Sequence, residues 1–261
     1  ISAWAECDAP LSPLRVVDAG GIESAARARQ ADFANEYVGG GVLCGGCVQE
    51  EIRFAVSPEC LVAILLCARM RDHEAILLQG VRQFAKYTGY GYAFACAGPA
   101  EDRARGGEEV VALDALMGGG ARQYDDGAML RELRKLRAAL GDGGDAARAD
   151  GGAAAPFATG NWGCGVFGGD ARLKALLQWM AASRARRDVL YYPFGDPKIE
   201  GLRETADRLL ARRTTVGELA RALAGKGAAL ADGRAFDVVL AALARADAQT
   251  QQQSAARNVL D

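Results

Sequence analysis

Gln30-Ala-Asp32-Phe33-Ala34-Asn35, then Glu36-Tyr-Val-Gly39-Gly40-Gly41, then Val48-Gln49-Glu50-Glu51-Ile-Arg53 reads as a strand, a glycine loop and a helix start, in that order. A strand that hands over to a helix through a close turn is the repeating unit of α/β layer folds. Working outward, the candidate strands are Leu14–Asp18, Gln30–Ala34, Ala75–Gly80, Val110–Ala115, Phe157–Gly160 and Val189–Phe194. Longer amphipathic runs fall between them. Ser57-Pro58-Glu59 has the form of an N-cap and first turn for a helix to about Met70. Asp170 is placed to cap a helix whose Leu173, Leu176, Leu177 and Met180 form one apolar stripe. Asp196-Pro197 opens another, to about Arg213, and Thr215-Val-Gly-Glu218 is a capping box for the next.

With 261 residues, half of them hydrophobic, the chain can bury a large core, so disorder and a disulfide-stapled mini-protein are excluded. Thirty-one basic against 33 acidic residues leave a net charge of −2, with no global field to collect a polyanion. Neither direct nucleic-acid binding nor a membrane is therefore expected. The longest apolar run, Cys60–Ala68, is far short of the ~20 residues a spanning helix needs. Seven cysteines without small-domain spacing suit a reducing compartment, the nucleus or cytoplasm. Cys44-Gly-Gly-Cys47 has no second ligand pair, and the one histidine, His73, sits in a charged stretch, so no metal is assigned. The chain begins with Ile1 and is expected to be one domain, residues 1–261, of a longer protein. Gly98–Glu109 and Gly141–Ala155 read as loops, with 141–155 flexible, and the Gln-rich tail, residues 247–261, is assigned no structure.

Three segments carry possible chemistry. Gly39, Gly40 and Gly41 can turn the backbone sharply, and their N–H groups can form an anion-binding nest. Behind them stand Glu50 and Glu51, which as helix neighbours point about a third of a turn apart and cannot both face one bond. An acidic pair at a helix start also complements the helix dipole, and a bare glycine triplet says little alone. The second segment, Thr159-Gly-Asn161-Trp162-Gly163-Cys164-Gly165-Val166-Phe167-Gly-Gly-Asp170, can cradle a diphosphate on its amides. It is no P-loop, and its G-x-G-x-x-G lacks the later acid-ended strand of a dinucleotide site. The third is aromatic: Tyr87-Thr-Gly-Tyr90-Gly-Tyr92 and Tyr191-Tyr192-Pro-Phe194. Such rings can stack on a base or fill a core.

Taken together and in this order, these segments resemble the catalytic domain of poly(ADP-ribose) glycohydrolases. The resemblance runs from Arg15 to about Leu223 and is densest at Asp32–Phe54, Gln83–Tyr92, Val110–Ala115, Phe157–Ala182 and Asp188–Asp196. It implies a macrodomain-type, three-layer α/β/α fold with a mixed central sheet and an ADP-ribose cleft at the loop ends. It implies hydrolysis of ribose–ribose O-glycosidic bonds in poly(ADP-ribose), without a cofactor, by a monomer whose partners are the polymer and poly(ADP-ribosyl)ated proteins. A part in the response to DNA damage goes with that activity. By the same resemblance Glu51 protonates the departing ribose oxygen and then activates water, Glu50 binds ribose hydroxyls, and Asp32 completes the acidic set. Phe33, Asn35 and Gln49 would attend the distal ribose, while Gly39–Gly41 and Asn161–Val166 embrace the diphosphate. Ile22 and Glu23 would read the adenine edge, and Tyr90, Phe167 and Phe194 flank the ligand.

Elementary chemistry agrees with that casting. An oxocarbenium-like transition state needs an acid at the leaving oxygen, and a carboxyl screened from water beside another stays protonated more easily, which is expected of Glu51. Serine or cysteine nucleophiles lack a nearby base. Two other classes share some of these features: an ADP-ribose reader without catalysis, which the acidic pair argues against, and an arginine-driven nucleic-acid binder, which the net charge argues against.

Overall fold

The computed structural model describes residues 1–101, 107–142 and 154–257. Its strands are β1 (Leu14–Val16), β2 (Arg29–Asp32), β3 (Ile76–Val81), β4 (Ala85–Thr88), β5 (Ala95–Pro99), β6 (Glu108–Ala112), β7 (Phe157–Gly160) and β8 (Val189–Tyr192). Six form one sheet in the order β1-β8-β7-β2-β6-β3, parallel except where β3 runs against β6. The helices are α1 (Gln49–Val56), α2 (Val62–Leu66), α3 (Asp126–Leu140), α4 (Ala171–Arg184), α5 (Leu202–Ala211), α6 (Val216–Leu223) and α7 (Ala235–Arg257).

Alternation along β6 shows why there are three layers. Val111 and the following Leu113 face a core built with α3–α7, whereas Val110 and Ala112 face a smaller one with Phe54 of α1 and Ala63 of α2. A strand buried on both faces reads as a continuous apolar run, which is how Val110–Ala115 stood out. Because β2, β6, β7 and β8 are parallel, Asp32, Ala112, Gly160 and Tyr192 end at one edge of the sheet. The loops that follow them meet there.

All six expected strands are present, displaced at their ends by up to three residues. Asp170 accepts from Leu173 N at 2.9 Å, and Thr215 and Glu218 form the expected reciprocal cap. The helix expected from Ser57 to Met70 stops at Leu66: Cys67 is extended, and Met70 N instead donates to Glu36 O at 2.8 Å while its side chain enters the smaller core. The helix expected from Asp196 to Arg213 breaks at Gly201, whose φ is 87°, and resumes as α5. Gln249–Ser254, expected to be unstructured, continues α7, since glutamine is a good helix former and the helix is anchored upstream by Arg212 on Asp247. The loop expected at Gly98–Glu109 begins inside β5 and ends inside β6; residues 102–106, 143–153 and 258–261 of the expected loops and tail lie outside the described residues. The β4–β5 hairpin and α3 carried no early signal.

Asp170 also accepts from Tyr124 Oη at 3.0 Å. Asp170→Ala removes both bonds and should lower the unfolding free energy by about 1–2 kcal/mol in a denaturant titration. No loss would mean that α4 is capped by another group.

Candidate active site

The site grows from the turn after β2. Gln49 ties α1 to that strand: its Oε1 accepts from Phe33 N at 2.7 Å and its Nε2 donates to Ala31 O at 3.1 Å. This seats Glu50 and Glu51 against the glycine loop. Glu50 accepts from Asn35 N at 2.8 Å and from Gly39 N at 2.6 Å. Glu51 accepts from Gly41 N at 2.9 Å and from Val48 N at 3.0 Å. The glycines are required here by contact. At Gly40, whose φ is 50°, a β-carbon would lie 2.6 Å from Glu50 Oε2 and 2.7 Å from Glu51 Oε1.

The nest expected to hold a ligand anion is thus occupied by the protein's own carboxylates. Gly39 N and Gly41 N serve the glutamates, and Gly40 N donates to Tyr37 O at 3.2 Å. The expectation that Gly39–Gly41 offer free amides to a diphosphate is corrected by this geometry. Asn35 is likewise engaged, its Oδ1 accepting from Tyr37 N at 3.0 Å.

Asp32 ends β2 with no exposed surface, and neither of its carboxyl oxygens has a hydrogen-bond partner among the described residues. Burial, the largest cause, and the Glu51 charge push its pKa up to about 7 against the pull of the buried Arg53 guanidinium. Burial and Asp32 also raise Glu50, opposed by its two amide donors. The two carboxyls titrate as a pair. The two donors pull Glu50 back toward its ionised form without offsetting its burial, so both members of the pair are held toward neutrality. Exposure rises from 0% at Asp32 through 3% at Glu50 to 8% at Glu51, so Glu51 is the acid with most access to solvent.

Beside them opens a cavity of about 560 Å³, walled by Phe33, Val48, Gln49, Tyr90, the 161–167 loop, Tyr192, Phe194 and Asp196. Its wall contains no lysine or arginine. The N–H groups of Gly163, Gly165, Val166 and Phe167 have no partner among the described residues, while those of Trp162 and Cys164 close the turn onto Gly160 O and Asn161 O. The Asn161 side chain is spent within the protein, donating to Pro193 O at 3.1 Å and accepting from Tyr191 Oη at 2.8 Å. Trp162 is fully buried and donates to Leu113 O at 2.9 Å. Burial pushes the Cys164 thiol up to about 12, so it is not a thiolate nucleophile.

Tyr90 and Phe194 stand at one end, half exposed, their ring centres 6.4 Å apart. Phe194 has a φ of 54°, an uncommon backbone for a bulky residue, and it sets the ring at the cavity rim. Beyond them, Ile22 and Glu23 share a small pocket with Gln49, Arg53, Tyr87, Tyr90 and Phe194, and Tyr87 Oη donates to Glu23. Most of the expected site residues therefore converge on one continuous cleft. Asp32, Asn35, Gly39–Gly41, Glu50 and Glu51 stand behind its wall at Val48 and Gln49 rather than in it. The expectation missed Tyr87, Tyr192 and Asp196. All three lay in quoted segments, but Asp196 also caps the next turn, accepting from Lys198 N, and that was the reading it received.

A family model described as poly(ADP-ribose) glycohydrolase, macro domain fold, matches residues 1–201. The chain is 34% identical to poly(ADP-ribose) glycohydrolase 1 of Arabidopsis thaliana, over 83% of this chain and 52% of that one. It is 33% identical to the probable poly(ADP-ribose) glycohydrolase 2 of the same plant, over 83% and 49%. Against poly(ADP-ribose) glycohydrolase 1 of Caenorhabditis elegans it is 36% identical, over 76% and 27%. The chain spans about half the length of the plant relatives it matches.

A native pKa raised above the unfolded value means that the folded state binds the proton more tightly. Asp32 therefore subtracts stability as pH rises from the usual carboxylate range to about 7, and the penalty is constant above that. Asp32→Asn should accordingly raise the unfolding free energy at about pH 8 by roughly 1–3 kcal/mol, a gain that fades as pH falls toward about 4. A variant less stable than wild type at both pH values would show that Asp32 is not held against its charge.

Proposed function

Because the chain belongs to the poly(ADP-ribose) glycohydrolase family, we propose that it hydrolyses the ribose–ribose O-glycosidic bonds of poly(ADP-ribose) and releases ADP-ribose. The observation that carries this reading is the juxtaposition at Gln49 of three buried carboxyls with an amide-lined cavity that has no lysine or arginine in its wall and is large enough for a nucleotide. In this reading the unpaired amides of Gly163–Phe167 hold the diphosphate. Tyr90 and Phe194 enclose the adenine, whose edge meets Ile22 and Glu23. The distal ribose then lies at Phe33 and Gln49, next to Glu51.

Glu51 protonates the departing oxygen as the anomeric carbon becomes oxocarbenium-like, and then takes a proton from the incoming water. Asp32 and Glu50, both held toward their neutral forms, supply the proton store behind it and limit the negative charge around Glu51. Among the described residues, no group of three His, Cys, Asp or Glu side chains is placed to hold a metal ion, and no helix is long and apolar enough to cross a membrane. We place the protein on poly(ADP-ribosyl)ated proteins in the nucleus or cytoplasm, as a monomer without direct nucleic-acid contacts.

Glu51→Gln keeps the shape of the side chain but cannot give a proton. It should lower hydrolysis of poly(ADP-ribose) by roughly 100-fold or more while ADP-ribose affinity stays within a few-fold. Turnover near the wild-type rate would refute the assignment. The cation-free wall makes a second prediction. Affinity for ADP-ribose should change by less than about threefold between about 50 and 200 mM salt, because no counterions are exchanged for side-chain cations. A drop of about tenfold or more would mean that arginines clamp the phosphates.

A further inference from the structure

A cavity meant for a diphosphate faces an electrostatic problem here. Its wall supplies no cation, Asp196 is part of it, and the three carboxyls stand close behind. The nearest compensation lies one layer down. Lys174, on the first turns of α4, is 2% exposed, and its ammonium sits 4.5 Å above the Trp162 ring. A β-carbon at Gly163 would lie 3.3 Å from Lys174 Nζ, so the charge is in contact with the underside of the Trp162–Gly163 turn. Both residues belong to the cavity wall.

Behind Lys174 runs a buried ladder of charges. Lys174 Nζ meets Glu132 Oε1 at 2.7 Å, and Glu132 also pairs with Arg131 at 3.4 Å and accepts from Leu116 N at 2.6 Å. Arg131 pairs with Asp114, which Lys135 reaches at 2.6 Å. Three cations thus share two buried anions, and a further partner of Arg131, Asp72, is largely in water. Glu132 is divided between Lys174 and Arg131, so the Lys174 ammonium is only partly neutralised, while Arg131 also draws on Asp72. A partly neutralised ammonium buried in low dielectric acts over a longer range than one at the surface and is little screened by salt.

We infer that Lys174 is a positioning residue for diphosphate binding: it holds the Trp162–Gly163 turn from below and places buried positive charge beneath the amides of the 163–167 loop. It does not touch the ligand. This inference rests on the proposed ADP-ribose site and explains how amides alone can hold a dianion there. The arrangement also accounts for the expense of burying four charges, since an apolar cluster of the same volume would stabilise the fold as well or better.

The test compares ADP-ribose with adenosine, which lacks the diphosphate, by calorimetric titration of the full chain. Lys174→Met should weaken ADP-ribose by at least about tenfold and leave adenosine within about twofold. Glu132→Gln keeps an acceptor for Leu116 N and leaves Lys174 less neutralised. It should lower the melting temperature yet tighten ADP-ribose by about threefold or more. Equal weakening of both ligands by Lys174→Met, or weaker ADP-ribose binding by Glu132→Gln, would show that the ladder is structural only. If Lys174→Met does not fold, the sign of the Glu132→Gln change decides. Wild-type protein that binds no ADP-ribose would instead refute the functional reading on which the inference stands.

Discussion

Two neighbouring carboxylates on α1, each clasped by two backbone amides, set the geometry on which the rest of the site depends. Asn35 N and Gly39 N hold Glu50, and Gly41 N and Val48 N hold Glu51. Four backbone hydrogen bonds fix both side chains before any ligand arrives, and fixed groups contribute more to a transition state than groups that must first be ordered. They also dictate the sequence around them. Gly40 leaves room for the carboxylates, and a β-carbon at Gly46 would lie 2.7 Å from Glu51 Cγ. The loop is glycine-rich because it wraps the acids, and its anion-binding capacity is used on them.

The arrangement separates the buried acids from the unpaired amides. At one end, Asp32 and Glu50 are driven toward neutrality by burial and by each other, which costs stability that the apolar cores on either side of the sheet offset. At the other end, the 163–167 turn presents unpaired amides backed by the Lys174–Glu132 ladder. The parallel strands join the two ends, bringing the loops after β2, β6, β7 and β8 to one edge.

Much of this was legible in the sequence. The strands β6, β7 and β8 were visible because they are largely buried and apolar, and the caps at Asp170 and Thr215 because one polar side chain there has one local duty. The β4–β5 hairpin was not, since it is solvent-facing and ends in Gly-Pro, which suggests a loop. Helix α3 hid its Met129, Leu133, Leu136 and Leu140 stripe among interleaved charges, several of them buried in ion pairs that no local pattern announces. In the site, spacing and family resemblance singled out Glu50, Glu51 and the 161–167 turn. They could not tell which anion the Gly39–Gly41 amides serve, nor which carboxyl lies deepest. Both depend on long-range packing of α1 against β2.

The central claim is that the acids attack the glycosidic link while the diphosphate is only held. Cleavage of poly(ADP-ribose) in heavy-oxygen water, quenched early and followed by mass spectrometry, tests it directly. The account predicts intact ADP-ribose carrying one heavy oxygen on the anomeric carbon of the distal ribose and none on phosphorus. Phosphoribosyl-AMP with the label on phosphate would show that the diphosphate is the bond broken and would contradict the account.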